Sequence, residues 1–428
     1  MGQEAAAPRL TAAPPEIRRL AVFFAAVYFV QGFAEPKAGL AAQPIFFLLK
    51  DDLRLSAAET ATFLALVGIA WNVKPLYGLT SDLVPFLGYR RRSYLLITTA
   101  MAALGWLVLA FLPGYPYGLM LVILGLTGLG LAFTDVLCDA VMVEEGKPRG
   151  LTGMFQSIQW GAIYAASLVA GIGGGYLSAH VSHSRTFLLV AFFPALSFAA
   201  SAYAVHDPRT RFDRATVRAT LGALRLGVRS GPLWRAAAFL FLWNFSPSFG
   251  VPLEFHMVDA LGISKIQLGL LATIASGASM LGALLFGRYF RGYPLKHLLN
   301  LAVAIGVAGT LAYYELVGWW SAVALNVTVS LVTMVAFLAT MDLAARTVPS
   351  HAEGTFFAAL MSVNNIGTTG SAWLGGWLYD RVGLDWLIAI SAAATAACWL
   401  LVPWIRAEAL TSDSAPAPSP SPGGRGSG

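Results

Sequence analysis

The chain has 428 residues, 57% hydrophobic and only 12% charged, with 28 Lys and Arg against 22 Asp and Glu for a formal net charge of +6. A soluble globular domain carries about 25% charged residues, so this composition excludes one and points to a polytopic membrane protein. Both cysteines, Cys138 and Cys398, fall in apolar runs, which leaves neither a disulfide framework nor a Cys-rich metal site.

Apolar runs long enough to cross about 30 Å of hydrocarbon recur twelve times, near residues 20–49, 57–81, 93–112, 116–143, 151–179, 186–205, 234–258, 265–287, 295–314, 320–344, 354–379 and 386–405. The first 19 residues contain no apolar segment ending at a cleavage site, so the first run is expected to stay as a membrane helix. Near its middle stands Glu35-Pro36-Lys37. Proline breaks helical hydrogen bonding and the two charges are costly in lipid, so the triplet predicts an interrupted helix lining a polar space. There Glu35 is a candidate proton acceptor and Lys37 a candidate contact for an anionic substrate; a structural ion pair at the kink is the alternative.

The second run opens with a capping box, Ser56-Ala-Ala-Glu59, carries Lys74 deep inside, and is expected to end at Gly78. Lys74 is a second candidate substrate contact. Asp82 follows, and Arg90, Arg91 and Arg92 open the third run as a cytoplasmic marker. In the fourth run, Asp135 and Asp139 lie four residues apart and share a helical face. Asp135 is expected in proton coupling. Asp139 is expected in an inside gate, with Asp82 and the three arginines, or paired with Lys74.

The fifth run offers Gln156, Gln159 and Trp160 as donors, acceptors and a stacking face for a flat heterocycle. Glycine clusters at 125–130 and 171–175 lack a following Gly-Lys-Ser/Thr and predict close helix packing instead of a nucleotide site. The connection at 207–232 holds Arg209, Arg211, Arg214, Arg218, Arg225 and Arg229, and permits a short amphipathic helix with Leu221, Leu224 and Val228 on one face. It separates six helices, at 19–206, from six more, at 233–406, with tails at 1–18 and 407–428; the last is Ser/Pro/Gly-rich and reads as disordered.

In the second half, Trp243 and Asn244 of the seventh run and Asn364 and Asn365 of the eleventh are further candidate substrate contacts, with interhelical bonding as the bland alternative. Pro247 and Pro252 predict kinks, whereas Glu254 and Asp342 read as solvated or salt-bridged groups. The histidines show no metal-ligand spacing, so neither a metal nor a cofactor is expected.

Alternating the connections between two sides puts about 21 of the 28 Lys and Arg on the side holding both termini, which predicts cytoplasmic termini. The net positive charge then reflects topology and contact with anionic lipid, not nucleic-acid binding. The halves also echo one another. Ser264-Lys-Ile-Gln267 repeats the first capping box, Gly287 matches Gly78, and G-G-Y-L at 174–177 matches G-G-W-L at 375–378.

A 6+6 arrangement with a basic central loop resembles the major facilitator superfamily, whose loop after the second helix reads Gly-x-x-x-Asp-x-x-Gly and then basic residues. Gly78 and Asp82 fit, but Gly88 arrives late, after an inserted L-V-P-F-L. That longer segment resembles the folate-biopterin transporter family within the superfamily. The likeness continues in V-Q-G-F at 30–33, L-K-D-D-L-R-L-S at 49–56, D-V-L-C-D-A-V-M-V-E at 135–144, F-Q-S-I-Q-W-G at 155–161 and F-L-W-N-F-S-P-S-F-G at 241–250. The resemblance implies an all-α major facilitator fold of twelve transmembrane helices, no enzymatic activity, and a monomer in a bacterial inner membrane moving folates or pterins with protons. A permease for a muropeptide, nucleoside or acyl-CoA type of solute is the nearest alternative, and a non-transporting receptor on the same fold a more distant one.

Overall fold

In a computed structural model, residues 14–405 are described except 211, most positions from 214 to 227, 291–292 and 349–352. The helix expected on Leu221 and Leu224 and the terminal tails lie largely outside the described residues, while Val228 falls in a turn. Among the described residues the chain is nearly all helix, as the unbroken apolar runs require when lipid offers no partner for backbone groups. Eleven segments are long and apolar enough to cross a membrane. One of them, Phe356–Ile405, is two spans joined at Gly383, whose φ of 78° turns the chain sharply. The expected twelve are therefore present.

We number these spans α1 (Pro15–Ala34, resuming as Ala42–Phe47), α2 (Ala57–Leu83), α3 (Arg92–Phe111), α4 (Tyr117–Gly146), α5 (Thr152–His180) and α6 (His183–Ala204). The second half holds α7 (Gly231–Asp259), α8 (Lys265–Leu285), α9 (Leu295–Leu311), α10 (Trp319–Thr347), α11 (353–382) and α12 (384–405). Within the first half α3 packs on α4 and α6 and α1 on α5 and α6; within the second, α10 packs on α8 and α9. Both capping boxes form, with Ser56 and Ser264 accepting from the amides of Glu59 and Gln267.

Three helices are interrupted, each at a proline. In α1, Glu35 precedes Pro36 and adopts an extended conformation (ψ 121°), as a pre-proline residue prefers. The helix stops at Ala34 and the stranded Ala34 carbonyl accepts from Trp106 Nε1 at 3.1 Å. In α7 the break spans Ser246–Phe249 around Pro247. Pro252 makes no second kink, because it sits in the first turn of the resumed helix, where its missing N–H has no partner to lose.

In α2, Pro75 cannot donate to the carbonyl of Trp71, and the chain tightens to a 3₁₀ stretch over Gly68–Val73. Gly78 does not end α2, which continues to Leu83; its hydrogen faces Val136 of α4.

The two halves meet on the side away from the termini. Gly171 and Gly175 of α5 lie against Gly269 of α8, backbone to backbone, so the glycine cluster serves close packing. Gly376 of α11 lies against Ala57, Ala58 and Ala61 of α2 in the same manner. Across this face Lys50 meets Asp259 at 2.6 Å and Lys265 meets Asp51 at 2.9 Å. Tyr164 and Met334, 3.9 Å apart, join the halves near mid-depth. The cross-half bonds thus lie at or beyond mid-depth, away from the termini.

Candidate substrate cavity

The α1 break and the tightened turn of α2 converge with α5 and α11 on one cavity of about 270 Å³. Gln31, Gly32, Glu35, Lys37 and Ala38 come from the α1 break; Gly68, Trp71 and Asn72 from the 3₁₀ turn of α2; Ile163 and Ser167 from α5; and Asn365, Thr368 and Thr369 from α11. Two residues expected from sequence to act together, Glu35 and Lys37, do share this wall. Lys37 forms no ion pair among the described residues, and its side chain runs over Gly68, where any larger residue would collide with it. Glu35 and Lys37 form no ion pair among the described residues, although Lys37 lies within electrostatic reach of the Glu35 carboxylate.

The floor of the cavity joins the halves. Asn365 Nδ2 donates to the Trp71 carbonyl at 2.8 Å, filling the acceptor that Pro75 leaves open. Thr369 Oγ1 donates to Asn72 Oδ1 at 3.2 Å. Asn365 thus lines the cavity and bridges it.

Behind the cavity lies a buried charged layer. Lys74 Nζ meets Asp135 Oδ2 at 2.6 Å and stands 4.6 Å from the Trp71 ring centroid. Lys74 is therefore committed to Asp135 and does not line the cavity, contrary to its expected substrate contact. One turn along α4, Asp139 Oδ1 accepts from Tyr28 Oη at 2.6 Å and from Gln159 Nε2 at 3.3 Å. Glu35 and Asp139 both lie within electrostatic reach of Lys74.

Asp139 does not reach the arginines, of which Arg90 and Arg91 pair with other acids among the described residues. Arg91, almost fully buried, donates to Asp82 Oδ1 at 2.5 Å, to Glu144 Oε1 at 2.6 Å and to Ser81 Oγ at 2.6 Å. Arg90 adds a 3.2 Å contact to Asp82, and the amides of Arg90 and Arg91 both donate to Asp207. Arg92 turns away to the Ala202 carbonyl. Burial of the Arg91 guanidinium opposes its charge, but Glu144 and Asp82 more than compensate and hold it above its ordinary pKa. Glu144 closes the motif begun by Asp135 and Asp139, one helical turn nearer the arginines than Asp139.

A family model described as the BT1 family matches residues 31–415. The chain belongs to the BT1 family of folate-biopterin transporters. A protein of Synechocystis named folate-biopterin transporter is 30% identical over 374 residues, covering 84% of this chain and 74% of its own. A probable folate-biopterin transporter 4 of Arabidopsis thaliana is 23% identical, covering 84% and 88%. Among solved structures, a D-xylose–proton symporter superposes with a TM-score of 0.68 at 15% identity, over 91% of this chain and 99% of its own, which establishes the major facilitator fold.

Other residues singled out in this BT1 chain take up different places. Trp243 is packed inside the second half, with its ring against Phe239 and Gly306, because its position on α7 faces α9. Asn244 Nδ2 donates to Asn364 Oδ1 at 2.7 Å, a bond between α7 and α11 one layer behind Thr368. Gln159 is buried beneath Asp139. Gln156 and Trp160 are exposed on the face of α5 that Tyr164 continues toward the second half.

Asp342 pairs with Arg346, and Glu254, half-buried, makes no ion pair among the described residues. Gln31, Trp71, Asn72, Ser167, Thr368 and Thr369 were missed. Gln31 stands inside the V-Q-G-F block, and Thr368 and Thr369 lie one turn beyond Asn364 and Asn365.

Proposed function

We propose that this BT1 family member is a secondary transporter that carries folate- or pterin-type solutes by alternating access, coupled to protons, with both termini in the cytoplasm of a bacterium. The observation that carries the reading is the mid-depth cavity where broken α1 and tightened α2 of one half meet α11 of the other. Interrupted helices at the interface of two repeats are where secondary transporters place substrates. The names of the relatives supply the solute class. Both halves of one chain complete the cavity, so the monomer is the transporting unit.

With the lysine- and arginine-rich side taken as cytoplasmic, the closed face points outward and the state is inward-facing. Gln156 and Trp160 then line the route from the cytoplasm. The proton part rests on charge: Glu35, Asp135 and Asp139 stand against Lys37 and Lys74, so full ionisation leaves one net negative charge in a dry interior. One bound proton removes it. Protonation of Asp135 frees Lys74, which couples the charged layer to the Trp71 wall beside it.

The test is counterflow in proteoliposomes with labelled folate, pterin, nucleoside and muropeptide, with and without an imposed pH gradient. Folate or pterin exchange that accelerates with the gradient, and an Asp135→Asn variant that no longer responds, is the expected result. Exchange of muropeptide or nucleoside alone refutes the solute class, and wild-type uptake indifferent to the gradient refutes proton coupling.

A further inference from the structure

Three cavity-lining residues each bury a polar atom that has no hydrogen-bond partner: Gln31 Oε1, Glu35 Oε2 and Trp71 Nε1. Gln31 and Glu35 are four residues apart on α1 and share one face, and Trp71 stands on the α2 segment that forms the neighbouring wall. Buried groups of this kind are nearly always paired in native proteins, and an orphan calls for an explanation. Around this single cavity two acceptors and one donor are left without a well-formed hydrogen bond, although the Trp71 indole lies close enough to the Glu35 carboxylate to interact with it. Each of the three residues is only partly buried as a whole and lines the cavity.

We propose that Glu35, Gln31 and Trp71 read the 2-amino-4-oxo edge of a bicyclic pterin, with the Glu35 carboxylate taking the paired N–H groups and the Trp71 indole N–H donating to the oxo group. The inference rests on the solute class proposed above and adds the orientation of the ring and the basis of selection. That edge presents, in order, an amino group, a ring N–H and a carbonyl, all in one plane. The first two are parallel donors that match the fork of a carboxylate as a guanidinium does. The third is an acceptor beside them.

Gln31, whose amide offers both an acceptor and donors, completes the acceptor side next to Glu35. Lys37 engages no carboxylate in an ion pair and supplies positive field to a carboxylate held at mid-depth. A ring lacking one of these groups leaves buried atoms unpaired, and sites built on hydrogen bonds reject such analogues far more strongly than apolar pockets do.

The experiment measures binding of three unlabelled rings to the purified full-length protein by competition with a labelled pterin, and repeats the series for guanine against hypoxanthine by direct calorimetry. Pterin carries the full edge, lumazine replaces the amino group by oxygen, and 4-thiopterin keeps both N–H groups but replaces the oxo group by sulfur, a weaker acceptor. Wild type is expected to favour pterin over lumazine by about 10- to 100-fold and over the thio ring by about 5- to 10-fold. Glu35→Gln reduces the preference over lumazine to about threefold and keeps the preference over the thio ring. Trp71→Phe does the reverse. Ratios among rings within one variant do not depend on how much of it is folded, so partial misfolding leaves the test intact.

Equal loss of all three rings in either variant, or a wild type that does not discriminate, overturns the assignment. If no pteridine binds but guanine is preferred over hypoxanthine, the edge reading stands and the solute class falls. If neither ring system binds, both fall.

Discussion

The face at which the two halves close yields the most direct prediction. Lys50 of α1's end reaches Asp259 of α7's end and lies 5.3 Å from the Phe255 ring; Lys265 of α8's start reaches Asp51 and lies 4.1 Å from the Phe47 ring. Each half thus inserts a lysine over an aromatic ring of the other half and pairs it with an acid there. The side chains are not fully buried: Lys50 is 14% and Asp259 55% exposed, Lys265 36% and Asp51 40%. Solvent screening holds each ion pair to roughly 0.5 kcal/mol, and each cation–π contact contributes about 0.5–1 kcal/mol at such sites.

Removing both lysines therefore destabilises the closed face by about 2–3 kcal/mol, since no such contact survives when the halves part. At about 1.4 kcal/mol per factor of ten, Lys50→Ala with Lys265→Ala shifts the closed-to-open ratio by roughly 30- to 140-fold. The assay is labelling of a cysteine introduced by Ser167→Cys in the cavity wall, using a membrane-impermeant maleimide applied from outside to cells, with Cys138 and Cys398 changed to Ala. Labelling is expected to rise steeply in the double-alanine variant. The exchange Lys50→Asp with Asp259→Lys, made with Lys265 intact, gives up only the ring contact at that site and is expected to cost about 0.5–1 kcal/mol, a shift of about two- to fivefold. Unchanged labelling in the double-alanine variant refutes the latch, and so does a rise confined to reagent applied from the cytoplasmic side.

Three further outcomes follow from the same contacts. Asn365→Ala strands the Trp71 carbonyl and is expected to cost about 1–3 kcal/mol, read as a fall in thermal unfolding temperature in detergent; adding Pro75→Ala returns an N–H to that carbonyl and restores most of the loss. Glu144→Gln weakens the hold on Arg91 and is expected to expose the Asp82–Arg92 loop to limited proteolysis from the cytoplasmic side, whereas Asp139→Asn leaves the digestion pattern unchanged. Gly269→Val places side-chain atoms where the backbone of Gly171 and Gly175 already stands, so it opens the outer face and raises Ser167→Cys labelling at least as far as loss of both lysines does.

Spans, capping boxes and the α1 and α7 breaks were legible in sequence because each depends on short-range chemistry: an apolar run, a serine three residues before a glutamate, a proline. The α2 tightening is marked in the sequence only by Pro75, whose missing N–H leaves the Trp71 carbonyl without its helical partner. The site was half legible. Glu35 and Lys37 declared themselves as mid-depth charges, but which way a residue faces depends on packing between spans distant in sequence. Trp243 packs against α9 and Asn244 bonds to Asn364 of α11, so neither lines the cavity. Lys74 and Asp139 carried the right chemistry for several partners, and only the three-dimensional arrangement gave Lys74 to Asp135 and Asp139 to Tyr28.

The three proline interruptions differ in who satisfies them, and that difference bears on how the cavity senses the motion of the halves. At the α1 break the exposed carbonyl is met by Trp106, from the same half. At the α7 break Ser371 donates to the Ser246 carbonyl and Ser391 to that of Pro247 at 2.6 Å, again from the same half. These two breaks keep their partners whichever way the halves tilt. The α2 break alone depends on the opposite half, since Asn365 of α11 supplies the bond to Trp71. Any separation of the halves there withdraws Asn365 and leaves the Trp71 carbonyl unpaired in the cavity wall, beside an indole N–H that makes no well-formed hydrogen bond. A ligand or water that pairs with Trp71 offsets that cost, so occupancy of the cavity and separation of the halves are linked through one residue of α2.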